Sequence, residues 1–206
     1  MPSIYIENEK VRNTNNYGVY FGSTPCKQVY YGSNLVYQFE SYTPSSRLTY
    51  SSPNSYSSVL PVGVYKIALC GAKGNSTTWV YSGYPWGAQG GSGGFVELTF
   101  YNPKSQNIRI NAGNSGNATM ILGNNTVITA RAGGNAVFNA AGTGGTVTVS
   151  GLDILSVQKQ VQGNNGGVAA YNPPDVASVS TYGNWGSSAN PAGGARLEYI
   201  RYEREV

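Results

Sequence analysis

The residues that could carry out catalysis in this chain are nine carboxylates, because the chain contains no histidine. The lack of histidine excludes a Ser–His–Asp triad and histidine-ligated zinc or copper, and two cysteines cannot form a thiolate metal cage. Glu97 lies in a predicted strand, and Asp153 and Asp175 lie in or near loops. A glycosidase needs two carboxylates across one sugar, and the spacing singles out no such pair. We therefore predict a protein that is not an enzyme and that uses no metal and no cofactor.

Aromatic rings in loops provide a second kind of chemistry, which is recognition by stacking. Two tryptophans lie in the segment NSTTWVYSGYPWGAQ with two tyrosines between them, and a third follows a tyrosine in STYGNWGSS. Rings set among Gly, Ser and Asn provide rigid contact area that suits saccharides and protein loops. The alternative is that these rings only cover thin places in a glycine-rich core. The candidate binding residues are Trp79, Tyr81, Tyr84, Trp86, Tyr182 and Trp185. Residues 170–175 (AYNPPD) are a weaker third candidate loop.

The charge pattern bears on partners and compartment. The net charge is +4, but the 13 Lys and Arg residues are dispersed, so we expect no nucleic-acid partner. The first 16 residues have no apolar segment typical of a signal peptide, and no apolar run could span a bilayer. We therefore expect synthesis in a cytoplasm, no membrane insertion, and Cys26 and Cys70 as buried thiols rather than a disulfide.

The elements that must position these residues are predicted to be strands. Only 11% of residues are charged, while Tyr, Val, Thr and Ile are abundant between turn residues, which indicates an all-β protein. Strands are predicted at 64–70, 94–101, 106–112 and 195–203, and residues 152–162 fit either a short helix or a strand. The 28 glycines follow no collagen repeat and precede no helix that could bind phosphate. Close lateral packing of backbone remains as their explanation.

The N-terminal part differs in composition from the rest. Residues 1–40 form a predicted β module in which KQVYYGSNLVYQ is a hairpin signature. Its alternating residues Val29, Tyr31, Leu35 and Tyr37 are the candidates for attachment to another surface. Residues 41–58 are rich in Ser, Pro and Tyr and are predicted as a linker, with a short edge strand at 47–50. Residues 59–206 form the main domain.

Four segments of this main domain together resemble a known family. They are PVGVYKIALCGAKG (61–74), GGSGGFVELTF (90–100), IRINAGNSG (108–116) and GGARLEYIR (193–201). In this order they are similar to the glycine-rich domain of bacteriophage tail-fibre and adhesin proteins. Lys73, Asn75 and Asn114 stand where that family has glycines, which argues for few polyglycine helices. Residues 18–38 are similar to a short module of phage structural proteins.

The resemblance implies a fold and a function. The fold would be an antiparallel β-sandwich-like glycine-rich domain with long glycine-rich loops, which could include polyglycine II segments, preceded by a small β-hairpin module. The function would be that of a non-enzymatic virion protein, a tail fibre or other fibre, assembled in the host cytoplasm. Residues 1–40 would attach it to other virion proteins, and the aromatic loops would bind a host surface glycan or outer-membrane protein. A homo-oligomer, such as a trimer, is expected by analogy with fibres.

Two other functions stay open at this point. The chain could be a purely structural virion component, such as a head fibre, decoration or baseplate protein, whose aromatic residues only pack between subunits. It could also be a polysaccharide depolymerase, which would require Glu97, Asp153 or Asp175 to be catalytic.

Overall fold

A computed structural model describes residues 54–112, 115–182 and 184–201, together with the backbone of seven short strands before residue 52. These seven strands are β1 (Tyr5–Ile6), β2 (Glu9–Lys10), β3 (Tyr20–Phe21), β4 (Thr24–Pro25), β5 (Gln28–Tyr31), β6 (Asn34–Gln38) and β7 (Leu48–Ser51). Antiparallel pairs form between β1 and β2, β3 and β4, and β5 and β6. The side chains of the attachment candidates Val29, Tyr31, Leu35 and Tyr37 lie outside the described residues, and so does Cys26.

Twelve further strands follow, and no helix occurs among the described residues. They are β8 (Asn54–Leu60), β9 (Gly63–Cys70), β10 (Thr77–Tyr81), β11 (Tyr84–Ala88), β12 (Phe95–Asn102), β13 (Gln106–Ala112), β14 (Ala118–Leu122), β15 (Asn125–Ala130), β16 (Val147–Val149), β17 (Asp153–Val161), β18 (Val168–Ala170) and β19 (Gly194–Arg201). The prediction of an all-β chain is confirmed. The ambiguous segment 152–162 is strand β17.

Two five-stranded antiparallel sheets pack face to face. The first has the order β17-β12-β9-β19-β7 and the second β16-β15-β14-β13-β8. Their facing side chains form one core, to which Ile67 and Leu98 contribute from the first sheet and Ile110 and Met120 from the second, all at 0% exposure. Alternation along each strand produces this arrangement, because every second residue points to the same face.

Two parts of the predicted linker, residues 48–51 and 54–58, belong to strands of the sandwich. Strand β7 pairs with β19 and β8 pairs with β13, so residues 48–51 and 54–60 are the edge strands of the two sheets. The edge strand expected at 47–50 corresponds to β7, whereas residues 54–58, which were expected to be linker, form most of β8. An edge strand forms backbone hydrogen bonds with a neighbour on one side, and its other side faces solvent. A Ser-rich sequence can therefore form an edge strand.

At the end of the sandwich marked by Cys70 and Phe95, the chain continues into extended glycine-rich segments that bond to one another laterally. The Gly71 and Gly74 N–H groups donate to the carbonyls of Gly94 and Gly91, at 3.0 and 2.9 Å. The Gly91 and Gly94 N–H groups in turn donate to the carbonyls of Gly134 and Arg131, both at 3.0 Å. The bonds recur every third residue, which is the repeat of the polyproline II conformation.

The segment 89–94 lies at the centre of this arrangement. Besides the two neighbours just described, the Ser92 N–H donates to the Asn164 carbonyl and the Ser92 carbonyl accepts from the Gly145 N–H, both at 2.8 Å. Four glycine-rich segments therefore bond to the central one, and the Gly93 N–H also donates to the Gly186 carbonyl at 3.1 Å. We call residues 71–75, 89–94, 131–135, 142–146 and 163–167 the glycine bundle. A methyl group at Gly91 would lie 1.9 Å from the Thr143 carbonyl oxygen, so the spacing requires glycine there.

The glycine bundle extends the sandwich in one direction. Strands β9 and β12 pair along their length, their continuations bond at 71/94 and 74/91, and β10 and β11 pair from Thr77↔Ala88 outward. These pieces form one long antiparallel ribbon. Strand β19 runs the other way along the first sheet, with Arg201 opposite Val64. The far end of the ribbon and the end of β19 therefore lie at opposite ends of the molecule.

Candidate functional site

The ribbon ends in the hairpin β10–β11, which presents four aromatic residues on one face. Trp79 pairs with Trp86 and Tyr81 pairs with Tyr84. Directly opposed residues of an antiparallel pair point to the same side, so the two pairs form successive rungs. The turn residues Ser82 and Gly83 have φ of 50° and 79°. Two successive residues with positive φ characterise the type I′ turn, whose twist matches that of the strands.

Two other segments bring further rings to the same place. Val137 and Ala140 exchange two backbone hydrogen bonds around a tight turn, and Phe138 on this turn packs 5.2 Å from Trp79 between ring centroids. Strand β18 pairs with β11, and Tyr171 just after it lies 6.2 Å from Tyr84 in an edge-to-face arrangement. We call the resulting surface the aromatic tip. It consists of Trp79, Tyr81, Tyr84, Trp86, Phe138 and Tyr171.

The aromatic tip is largely open to solvent. Tyr81, Tyr84, Phe138 and Tyr171 are 56–69% exposed, and Trp79 and Trp86 are half-buried. Val80, on the opposite face of the hairpin, is 72% exposed. Rings of this size normally lie inside a protein, so a cluster of them at the surface indicates a contact surface.

The aromatic tip also lacks ionisable groups other than the tyrosine hydroxyls. Residues 74–89, 132–150 and 162–174 contain no Asp, Glu, Lys or Arg. The nearest cation before the hairpin is Lys73, whose ammonium group donates to the Gly74 carbonyl and to Ser76 Oγ. Burial lowers the pKa of Lys73 below its ordinary value. The Lys73 ammonium group therefore lies against the base of the hairpin and does not extend toward the rings.

Tyr182 and Trp185 do not join the aromatic tip. They lie in residues 172–193, which fold back over the outer face of the first sheet and which we call the strap. Trp185 is 6% exposed and packs in a cluster with Phe95 and Cys70. The expectation that the Trp185 ring is presented by a loop is wrong, because the strap carries it inward. Burial raises the pKa of the free Cys70 thiol in this cluster to about 12.

Tyr182 takes part in a polar cluster with Glu97, which is 5% exposed. The Tyr182 hydroxyl donates to Glu97 Oε1 at 2.5 Å, Thr181 Oγ1 donates to Oε2 at 2.9 Å, and the Lys66 ammonium lies 2.5 Å from Oε1. The Arg196 guanidinium stacks over the Tyr182 ring at 4.5 Å. This cluster fastens the strap to the sheet, which is a structural role for Tyr182.

No two of the carboxylates Glu97, Asp153 and Asp175 lie together as a catalytic pair would. Glu97 is enclosed by the cluster just described. Burial by itself raises the pKa of Glu97, but hydrogen bonds from Lys66, Tyr182 and Thr181 outweigh it, and the pKa lies below its ordinary value. A general acid needs the opposite shift. Asp153 borders a cleft of about 560 Å³ at the other end of the sandwich, whereas Asp175 lies in the strap.

The described residues contain no group of three or more His, Cys, Asp or Glu side chains placed to hold a metal ion. None of their elements is a helix long and apolar enough to cross a membrane.

Phe138 is absent from the candidates named from the sequence, because its segment NAVFNAA (135–141) predicts a strand rather than a turn. The available signal is Asn139, whose φ is 61°. Asparagine tolerates this left-handed conformation, and a Phe-Asn pair between apolar residues is compatible with a two-residue turn. Tyr171 belongs to the loop that was given the weaker prediction.

Comparisons with known proteins do not assign the chain to a family. No protein-family model matches it, and neither the curated proteins nor the solved structures gave a significant match.

Proposed function

We propose that this chain is a non-enzymatic virion protein of a bacteriophage, a tail fibre or other fibre, which binds the host surface through the aromatic tip. The observation that carries the proposal is the collection of six aromatic rings from three separate segments at one extremity of the molecule. The resemblance of residues 60–206 to phage glycine-rich domains supports the choice of a phage particle.

The construction of the molecule supports a recognition role for this extremity. The tip rings are joined to the sandwich by the glycine bundle, whose bonds are made by the backbone and whose central residues are buried. A rigid support reduces the entropy lost when a surface is bound. The rings themselves lie on a tight hairpin and a two-residue turn, so they are held before a ligand arrives.

The remaining parts of the proposal concern assembly. Residues 1–40 attach the chain to other virion proteins, and Val29, Tyr31, Leu35 and Tyr37 are the candidate contact residues. The chain acts in the virion as a homo-oligomer, such as a trimer, after assembly in the host cytoplasm. Its partners at the host are a surface glycan or an outer-membrane protein, and it neither binds nucleic acid nor enters a membrane.

Competition for host cells tests this function. Purified protein should bind cells of the phage host and reduce adsorption of the phage. The double variant Trp79→Ala/Trp86→Ala should lose this binding by about tenfold or more, which corresponds to about 1.4 kcal/mol. Since both tryptophans are half-buried, a second variant, Tyr81→Ala/Tyr84→Ala, removes only exposed rings and should fold normally.

The matched control is Val157→Ala, which removes a 51% exposed apolar side chain from β17, away from the tip. It should leave binding unchanged. Failure of the unmodified protein to compete would overturn the proposal and favour a purely structural virion component. If a folded Tyr81→Ala/Tyr84→Ala variant competed as well as the unmodified protein, the aromatic tip would not be the surface that binds the host.

A further inference from the structure

We propose that the ligand of the aromatic tip is an uncharged saccharide of the cell surface, rather than a charged polymer or a protein. This inference rests on the proposed function, since it names the class of ligand for the same surface. Three properties of the tip lead to it: its charge, its spacing of rings and the polar groups beside them.

The lack of charged side chains in the aromatic tip argues against ligands that are bound through ion pairs. An anionic polysaccharide or a phosphorylated lipid headgroup is held in proteins by Arg and Lys side chains. The hairpin, the Phe138 turn and the segment through Tyr171 contain none. Lys73, at the base of the hairpin, is engaged with Gly74 and Ser76. The tip therefore offers a charged ligand no compensation for the water it would lose on binding.

The spacing of the rings suits a chain of flat units. The pairs Trp79–Trp86 and Tyr81–Tyr84 are two residues apart along the hairpin, a distance of about 7 Å in a β-strand. Phe138 and Tyr171 add two further rings, one beside Trp79 and one beside Tyr84. Sugar rings present C–H faces that pack on aromatic rings, and a row of stacking positions binds several successive units.

The polar groups next to the rings are amides and hydroxyls. Asn139 and Asn172 follow Phe138 and Tyr171 in the chain, Ser82 lies in the hairpin turn, and all three are exposed. Such groups form hydrogen bonds with sugar hydroxyls without requiring a charge on either partner. Protein interfaces, by comparison, are enriched in Arg and Met as well as aromatic residues, and the tip segments contain neither.

The experiment measures binding of fluorescently labelled protein to host cells after two treatments. One batch of cells is treated with periodate, which cleaves vicinal diols of sugars, and another with a broad-specificity protease. Binding to untreated cells is also followed from about 50 to about 500 mM NaCl, because salt screens ionic contacts. The Tyr81→Ala/Tyr84→Ala variant shows whether binding depends on the aromatic tip. The Val157→Ala variant is the control for effects of a substitution elsewhere on the surface.

We expect binding to survive the protease, to be lost after periodate, and to change by less than about twofold over the salt series. Loss after protease, or survival after periodate, overturns the saccharide while the proposed host recognition stands. A decrease of about tenfold or more with salt shows a charged ligand and also overturns the inference. Absence of binding to untreated cells contradicts the proposed function itself.

Discussion

At the scale of single residues, the Glu97 cluster determines how the molecule responds to pH. Because the pKa of Glu97 is lowered in the folded state, its contribution to stability is present above the unfolded value of about 4.3. That contribution is lost as the pH falls through the lower, folded value. Acid should therefore loosen the strap, which the cluster fastens to the sheet.

Replacing Lys66 tests this linkage. The variant Lys66→Met leaves Glu97 buried without its ammonium partner, so the free energy of unfolding at about pH 7 should decrease by about 1–3 kcal/mol. The difference should shrink as the pH falls below about 4, because the unfolded chain then binds a proton at Glu97 that the folded protein takes up only at its lower pKa. Urea unfolding at both pH values measures it. An equal difference at both would contradict the assignment of the interaction to the Glu97 carboxylate.

Trp185 gives a second prediction at this scale. The ring is buried against Phe95, and a methyl group added at Gly194 would lie 2.1 Å from it, so the strap and β19 fit closely around it. Trp185→Ala should lower the free energy of unfolding by about 3–5 kcal/mol. Val157→Ala should change it by less than about 0.5 kcal/mol. If Trp185→Ala were as stable as the control, the burial of this ring would be disproved.

At the scale of elements, the glycine bundle depends on the absence of side chains. Gly91→Ala places a methyl group 1.9 Å from the Thr143 carbonyl oxygen, whereas nothing lies within 4 Å of a methyl group at Gly116. Gly91→Ala should therefore destabilise the protein by about 1–3 kcal/mol or more, and Gly116→Ala should be neutral or slightly stabilising. Thermal unfolding compares the two. Equal melting temperatures would show that the bundle is not packed as described.

The strands could be predicted from sequence more fully than the site. Runs of apolar residues located β9 and β12, which are buried on both faces, and alternation located β13, which is buried on one face. The edge strand β8 was missed, since its Ser-rich sequence matches that of a linker. Trp79 and Trp86 were correctly grouped because they share one hairpin. Trp185 was misplaced because the folding of the strap onto the sheet is a long-range contact without a local signal.

The lateral bonding of the glycines illustrates the same limit. Their composition indicated close backbone packing, but the order of neighbours around residues 89–94 depends on segments far apart in the chain. Lys73 and Asn75, which stand where the resembled family has glycines, argued for few polyglycine segments. Both nevertheless lie within the bundle, since substitutions are tolerated where a side chain points out of the array: Lys73 and Asn75 are partly or fully exposed.

At the scale of the whole molecule, the sandwich and the bundle should unfold together. The segments of the bundle are direct continuations of sheet strands, and Gly91 and Ser92 are as deeply buried as the core. Native-state hydrogen exchange should therefore give the Gly91 and Ile110 amides protection factors within about tenfold of each other. The Tyr81 and Ser82 amides at the tip should exchange much faster. A bundle that exchanged about a thousandfold faster than the sheets would be a separate unit.

The long ribbon has a consequence for how such a protein can change. Its backbone bonds hold the stem up to Thr77 and Ala88, and the segment beyond them contributes no residue to the main core. Side chains between these two positions can therefore change without a change in the core, provided that β11 keeps its pairing with β10 and β18. The proposed binding surface can in this way acquire different side chains while the residues that form the core stay the same.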